Sequence, residues 1–268
     1  MILTTYCWNM KTENGAVDNK EPDILYEDED VLVINKPYDW LVHEDGHNDA
    51  PTVVEWFVAR VPKAAEVGEP GYARDGSELN RAGVVHRLDR ETSGVLILAK
   101  NQDAHQYLKQ QFKDRLVGKE YRAFVYGRMN DRWGTINRPI GRSAKDHRRR
   151  SAERGAKGVL REAITDFERI GMGEYEEEPF SYIKLMPKTG RTHQLRAHLR
   201  ALDRSIVNDT LYGEHKTSVS NNLATDRLML HAHLLELAIP SGTTERFIAP
   251  LPNIFELAAE RIEGLKEE

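Results

Sequence analysis

The stretch that most limits what this chain can fold into is Val95-Leu96-Ile97-Leu98-Ala99, entered through His86-Arg87-Leu88-Asp89-Arg90-Glu91-Thr92-Ser93-Gly94. Five apolar residues bounded by a Thr-Ser-Gly turn signal read as a fully buried central strand. The polar segment ahead of it then holds Asp89 at the mouth of that strand, with Arg87 and Arg90 on either side. A carboxylate beside two guanidinium groups has its pKa lowered and stays ionised at neutral pH. Such a group suits a carboxylate nucleophile, one of the side chains able to form a covalent intermediate. Taken alone, the same aspartate also reads as a loop cap or an ion pair, and the rest of the chain has to decide.

Around that strand the pattern alternates short strands with helices. Ile24 to Asn35 reads as a hairpin with an acidic turn at Glu27-Asp28-Glu29-Asp30, and Asn48-Asp49-Ala50-Pro51 opens a short helix carrying Val53, Val54, Trp56 and Phe57. Asn101 or Asp103 caps a helix whose Ala104, Leu108 and Phe112 recur every four residues. Tyr121 to Tyr126 reads as a strand, with Val159–Ile170 and Phe180–Met186 as a longer pair. Thr192–Leu202 reads as an amphipathic helix with Arg196 and Arg200 turned away from its apolar face. Arg227–Ile239 reads as a further strand, and Asn253 caps a last helix ending near Leu265. Strands in runs with helices interspersed give an α+β class. With no internal repeat and no Pro-, Gly- or Ser-rich linker, one catalytic domain over residues 21–268 is expected, behind a loosely held leader at 1–20.

Composition narrows the class. At 268 residues and 40% hydrophobic content the chain can bury a sizeable core, and no run reaches the roughly 18 apolar residues of a membrane span. Cys7 is the single cysteine, which excludes an internal disulfide and a cysteine-based zinc site and fits a reducing cytoplasm. Net charge is −5, yet Arg142–Arg161 holds eight Lys or Arg against Asp146 and Glu153, a local +6. Binding follows the local field and not the net charge. There is no Gly-rich phosphate loop and no dinucleotide fingerprint, so no nucleotide cofactor is implied. The closest histidine pairs, His43 with His47 and His231 with His233, lack an acid or third histidine at ligand spacing, so no metal is expected.

His86-Arg87-Leu88-Asp89 with Thr92-Ser93-Gly94 resembles the signature of the RluA-like family of RNA pseudouridine synthases. Further segments agree in order: Val31–Pro37 with Leu41-Val42-His43, Lys119-Glu120-Tyr121, Pro187–Leu199 with Thr189-Gly190-Arg191-Thr192-His193-Gln194, the Leu211-Tyr212-Gly213 triplet and Leu230-His231-Ala232-His233. The resemblance spans roughly residues 24 to 250. It implies a catalytic domain built on a bent, mainly antiparallel sheet with flanking helices, an RNA substrate and no cofactor. It also departs from the family in two places: Asn208-Asp209 stands where Gly-Asp is usual, and the 61–81 segment is longer and richer in Gly and Glu.

The resemblance implies that Asp89 attacks the sugar or the base, that Arg191 pairs with it, and that Tyr121 stacks on the uracil. It places Arg87 in the gap left by the extruded base. By residue type, Lys36 is expected to reach a phosphate, and Arg148, Arg149 and Arg150 to contact the RNA backbone. Pro139-Ile140-Gly141-Arg142 and the basic loop look most like members acting on large-subunit ribosomal RNA, with transfer RNA as the other option. A monomer is expected, with no RNA-binding module ahead of Tyr26. Two readings from other classes stand beside this one. They are a non-catalytic RNA-binding or ribosome-assembly protein on the same fold, and a metal-dependent hydrolase using the histidine pairs.

Overall fold

The computed structural model describes residues 21–44, 50–69, 71–72, 76, 78–153, 155–213 and 222–265. The expected leader with Cys7, the cap at Asn48-Asp49 and His47 lie outside the described residues. β1 (Asp23–Glu27) and β2 (Val31–Lys36) form the expected hairpin. Asp28 closes its turn: Oδ1 accepts from the N–H of Asp30 at 2.8 Å and of Val31 at 2.7 Å, so the side chain substitutes for backbone acceptors. α1 (Val53–Arg60) starts at Thr52, whose Oγ1 accepts from the Glu55 N–H at 3.1 Å and donates to its carboxylate at 2.9 Å. The long 61–81 segment holds a 3₁₀ turn (Pro62–Glu66) and two short strands, β3 (Gly71–Tyr72) and β4 (Glu78–Leu79).

β5 (Ser93–Ala99) is buried at all seven positions, as its apolar run demands. α2 (Gln102–Lys113) follows, capped by Asn101, whose side chain accepts from the Ala104 N–H at 2.9 Å. Next come β6 (Gly118–Tyr126), β7 (Trp133–Asn137), β8 (Ile140–Arg142), β9 (Arg150–Ser151) and β10 (Lys157–Arg161). The chain continues through β11 (Ile164–Tyr175), β12 (Glu178–Pro187), α3 (Gln194–Ala201), β13 (Leu230–Ala238), β14 (Thr244–Ile248) and α4 (Asn253–Arg261). The strand expected from Val159 to Ile170 is therefore two, separated at Glu162-Ala163. Asn253 is the first residue of α4 and not its cap, a place taken by Pro252 without a side-chain bond.

Among the described residues nine strands make one sheet in the order β1-β2-β5-β13-β6-β12-β11-β7, with β14 also on β13. Every pairing is antiparallel except β5 with β13, which run parallel through His231↔Ser93 and Ala232↔Gly94. β8, β9 and β10 form a small separate sheet. Among the described residues two large apolar cores result, one among β2, β5, α1 and α2, the other among β6, β12, α3 and α4, with Tyr121 packed against both, and a small third one gathers Ile140, Ala152, Ala163, Ala197 and Tyr212.

Gly94 sits at the parallel contact with φ +118°, and a Cβ there would lie 2.1 Å from the Ala232 carbonyl oxygen. Backbone on both sides cannot give way, and the conformation itself excludes side chains. Gly94→Ala is expected to lower the unfolding free energy by about 3 kcal/mol or more. Urea denaturation of the two proteins checks this, and a difference below about 1 kcal/mol would contradict the close approach.

Candidate active site

The loop ahead of β5 is fixed by the elements around it. His86 stacks on Phe112 with ring centroids 4.5 Å apart, and its Nε2 accepts from the Ile97 N–H at 3.1 Å. Burial, with Lys119 nearby, pushes its pKa down to about 3, so the ring is neutral with its proton on Nδ1. The Arg90 carbonyl accepts from the Asp39 N–H at 3.0 Å and from Lys36 Nζ at 3.1 Å. Lys36 also donates to the carbonyls of Pro37 and Trp40, each at 2.8 Å, and is fully buried. Burial, then the Arg227 charge, pushes its pKa down to about 7. Three N–H groups on three carbonyls fit the ammonium form. The expectation that Lys36 reaches a phosphate is corrected: this cation faces inward and clamps the loop from below.

The flanking arginines do not hold Asp89 either. Arg90 forms a two-pronged pair with Asp39 at 2.7 and 3.1 Å, and Arg87 is exposed at the rim of the cavity. Asp89 instead faces Arg196 of α3, whose NH1 lies 3.9 Å from Oδ2. Arg196 is almost fully buried and gathers two more carboxylates: Asp209 in a two-pronged contact at 2.7 Å on each arm, and Glu91 at 2.8 Å. Burial disfavours its charge, but the bonds and charge of Asp209, with Asp89 and Glu91, more than offset this and raise its pKa. A cation buried this deeply is stable only with such partners.

Arg191, the expected partner, points elsewhere. Its Nε donates to the Glu162 carbonyl at 3.0 Å, and among the described residues the ion pair to Asp89 comes from Arg196. The reason is the turn at Thr189–Gln194. Gln194 is buried and bridges it, accepting from the Arg191 N–H at 3.0 Å and from Thr189 Oγ1 at 2.7 Å while donating to Ile164 and Thr165 of β11, each at 3.0 Å. His193 then takes φ +54° and α3 begins only at Gln194, two residues later than its pattern suggests. Arg196 turns inward to Asp209 and Glu91, while Arg200, one turn on, pairs with Asp203.

The cavity beside Asp89 measures about 520 Å³, with Tyr121, Leu230, Lys119, Arg191 and His193 among its walls. Burial, followed by the charge of Asp89, raises the Tyr121 pKa, so its hydroxyl stays protonated. Tyr212 lies under the Arg196 guanidinium, 5.3 Å from ring centre to Cζ. Its hydroxyl meets His193 Nδ1 at 3.1 Å and accepts from the Arg150 N–H at 2.8 Å. Asn208, the departure from Gly, sits at φ +58°, a conformation asparagine tolerates. Its amide donates to the Thr225 carbonyl at 2.6 Å and hydroxyl at 2.7 Å, so Asp209 is still delivered to Arg196. Arg148 is exposed and bound to Asp146 at 2.8 Å, and Arg149 shares that carboxylate at 3.4 Å. Hydrogen bonds from Arg148 hold Asp146 well below the usual carboxylate range. Of the paired histidines, His231 and His233 both turn to the Ala249 carbonyl, at 3.4 and 3.0 Å.

The sequence profile described as RNA pseudouridylate synthase matches residues 30–201. Ribosomal large subunit pseudouridine synthase D of Borreliella burgdorferi is 37% identical over 251 residues, covering 91% of this chain and 71% of that protein. Its counterpart in Vibrio vulnificus is 34% identical, covering 86% and 67%. The solved structure of human RNA pseudouridylate synthase domain containing 1 superposes with a TM-score of 0.71 at 30% identity, over 96% of this chain and 94% of that one.

The chain belongs to the RluA-like family of RNA pseudouridine synthases. It is thus an isomerase acting on RNA, and the α+β class and single-domain build agree with its structural relatives. Within this synthase, Asp89, Tyr121, Arg191 and Arg87 do come together around one cavity, while Lys36 is buried behind the loop, Arg149 and Arg150 line a separate pocket with Tyr212, and Arg148 stays on Asp146. Arg196, Glu91 and Asp209 escaped the sequence reading. The available signal was two acids, Glu91 and Asp209, inside family motifs with no cation assigned to them.

Proposed function

We propose that the synthase converts uridine to pseudouridine in large-subunit ribosomal RNA with Asp89 as the catalytic carboxylate. The observation that carries this reading is a partly exposed carboxylate, 21% accessible, on the wall of a base-sized cavity and 3.9 Å from a buried guanidinium. The target uridine leaves its stack and enters the cavity. Asp89 attacks C1′ of the ribose, or C6 of the base, and the N1–C1′ bond breaks. The uracil turns within the closed site, C5 joins C1′, and the C5 proton departs as Asp89 is released. Tyr121 stacks on the base, and Arg196 places a positive charge 3.9 Å from the Asp89 carboxylate. Arg87 at the rim fills the space the base vacated. The names of the relatives support the ribosomal substrate, and the basic loop supplies the backbone contacts.

Two measurements test it. Purified protein is expected to form pseudouridine in unmodified large-subunit ribosomal RNA in the presence of EDTA, with no nucleotide added. Mapping pseudouridines in total RNA from cells with and without the gene is expected to show a missing site in that RNA. A site missing from transfer RNA alone would move the substrate there, and strict dependence on a metal would overturn the chemistry.

A further inference from the structure

The small sheet beside the active site carries a feature that the chemistry leaves unused. β10 pairs with β8 only at Lys157↔Arg142 and Arg161↔Ile140, so β10 advances four residues while β8 advances two. The surplus is a bulge, which re-aims the side chains it contains. Gly158 takes φ +77° at its start, and the next two residues face solvent, Val159 80% and Leu160 52% exposed. Lys157 and Arg161 flank them, both exposed. The result is an apolar crest between two cations on a sheet edge.

The small sheet that carries this ridge is bonded to elements around the active site at two points. Glu162, the residue after β10, offers its carbonyl to Arg191, which lines the Asp89 cavity. Arg150 of β9 donates its N–H to Tyr212, which lies under Arg196. The same sheet and loop concentrate the local +6 of a chain whose net charge is −5. An anionic polymer therefore approaches the cavity through this side.

We infer that the Lys157–Arg161 ridge is an RNA-gripping surface of this synthase. Lys157 and Arg161 hold phosphates of the strand next to the target, and Val159 and Leu160 lie against the ribose and base faces bared when the uridine is extruded. Cations set the register on the backbone while apolar side chains cover unstacked bases, as in proteins that open nucleic-acid helices. The inference rests on the pseudouridine reading for its substrate, but its surface chemistry is tested separately.

The probe is total RNA from cells lacking the gene, and the readouts are filter retention across a salt series and pseudouridine formed per protein. Lys157→Gln with Arg161→Gln is expected to lower the slope of log affinity against log salt by roughly 1.5. Val159→Ser with Leu160→Ser is expected to weaken retention roughly tenfold with the slope unchanged. Both double variants are expected to keep the wild-type unfolding midpoint, since all four side chains are exposed. Retention within twofold of wild type for both would overturn the inference. So would a wild-type dimer in sedimentation that Val159→Ser with Leu160→Ser dissolves without loss of RNA retention, since the crest would then face a second copy. Loss of retention in the variants, with no pseudouridine formed by wild type, would keep the ridge and remove the functional reading.

Discussion

Asp89→Asn is expected to abolish pseudouridine formation, lowering the single-turnover rate on bound RNA by on the order of 10³-fold or more. The substitution keeps the size of the side chain and removes its charge and nucleophilicity. Asp89 takes no part in a core, and Arg196 retains Asp209 at 2.7 Å and Glu91 at 2.8 Å when the more distant Asp89 charge is lost. Unfolding by urea and RNA retention should therefore stay close to wild type. Turnover within tenfold of wild type would remove Asp89 from the chemistry.

The second large effect concerns the pair behind it. Asp209 is fully buried and also accepts from the Leu211 and Tyr212 N–H groups at 3.1 and 2.9 Å. Removing its charge takes the two-pronged partner from the buried Arg196 guanidinium and leaves Glu91 at 2.8 Å and Asp89 at 3.9 Å. Breaking such a pair costs about 3–5 kcal/mol, so Asp209→Asn is expected to lower the unfolding free energy by that amount. Arg196→Lys keeps the charge but not the planar two-pronged contact, and is expected to cost activity on saturating RNA as well as stability. Arg191→Lys is the control, since that side chain meets a carbonyl and not a carboxylate. Urea curves and single-turnover rates on the three variants decide. Equal behaviour of Arg196→Lys and Arg191→Lys would return the question to where the sequence left it.

What could be read from the chain in advance follows the range of the interactions involved. β5 announced itself because Val95–Ala99 is an uninterrupted apolar run, and α2 because Asn101 and the Ala104–Leu108 spacing act within a few residues. The acidic hairpin is local too, closed by one aspartate. The parallel partnership of β5 with β13 joins residues about 140 positions apart, and no local pattern encodes it. The split of β10 from β11 depends on the β8 partner, which the period of apolar residues does not register. Arg196 and Lys36 show the deeper limit. Cations are read as solvent-facing because buried ones are rare. Their burial here is decided by carboxylates and carbonyls delivered from other elements. Arg191 meets the Glu162 carbonyl, and the cation facing Asp89 is Arg196, five residues further on.

The meeting of β5 and β13 has a bearing on how the enzyme comes alive. Asp89 rides on the loop entering β5, while Arg196 and Tyr121 belong to elements on the other side of β13, so the reactive pair exists only once both flanks of the sheet have closed on each other. Two adjacent residue pairs, with Gly94 pressed on Ala232 and Ser93 bonded to His231 at 2.8 Å, make that closure. A half-assembled chain can own a complete core on one flank and still be chemically silent. Turnover in this protein therefore requires both flanks of the sheet to be in place.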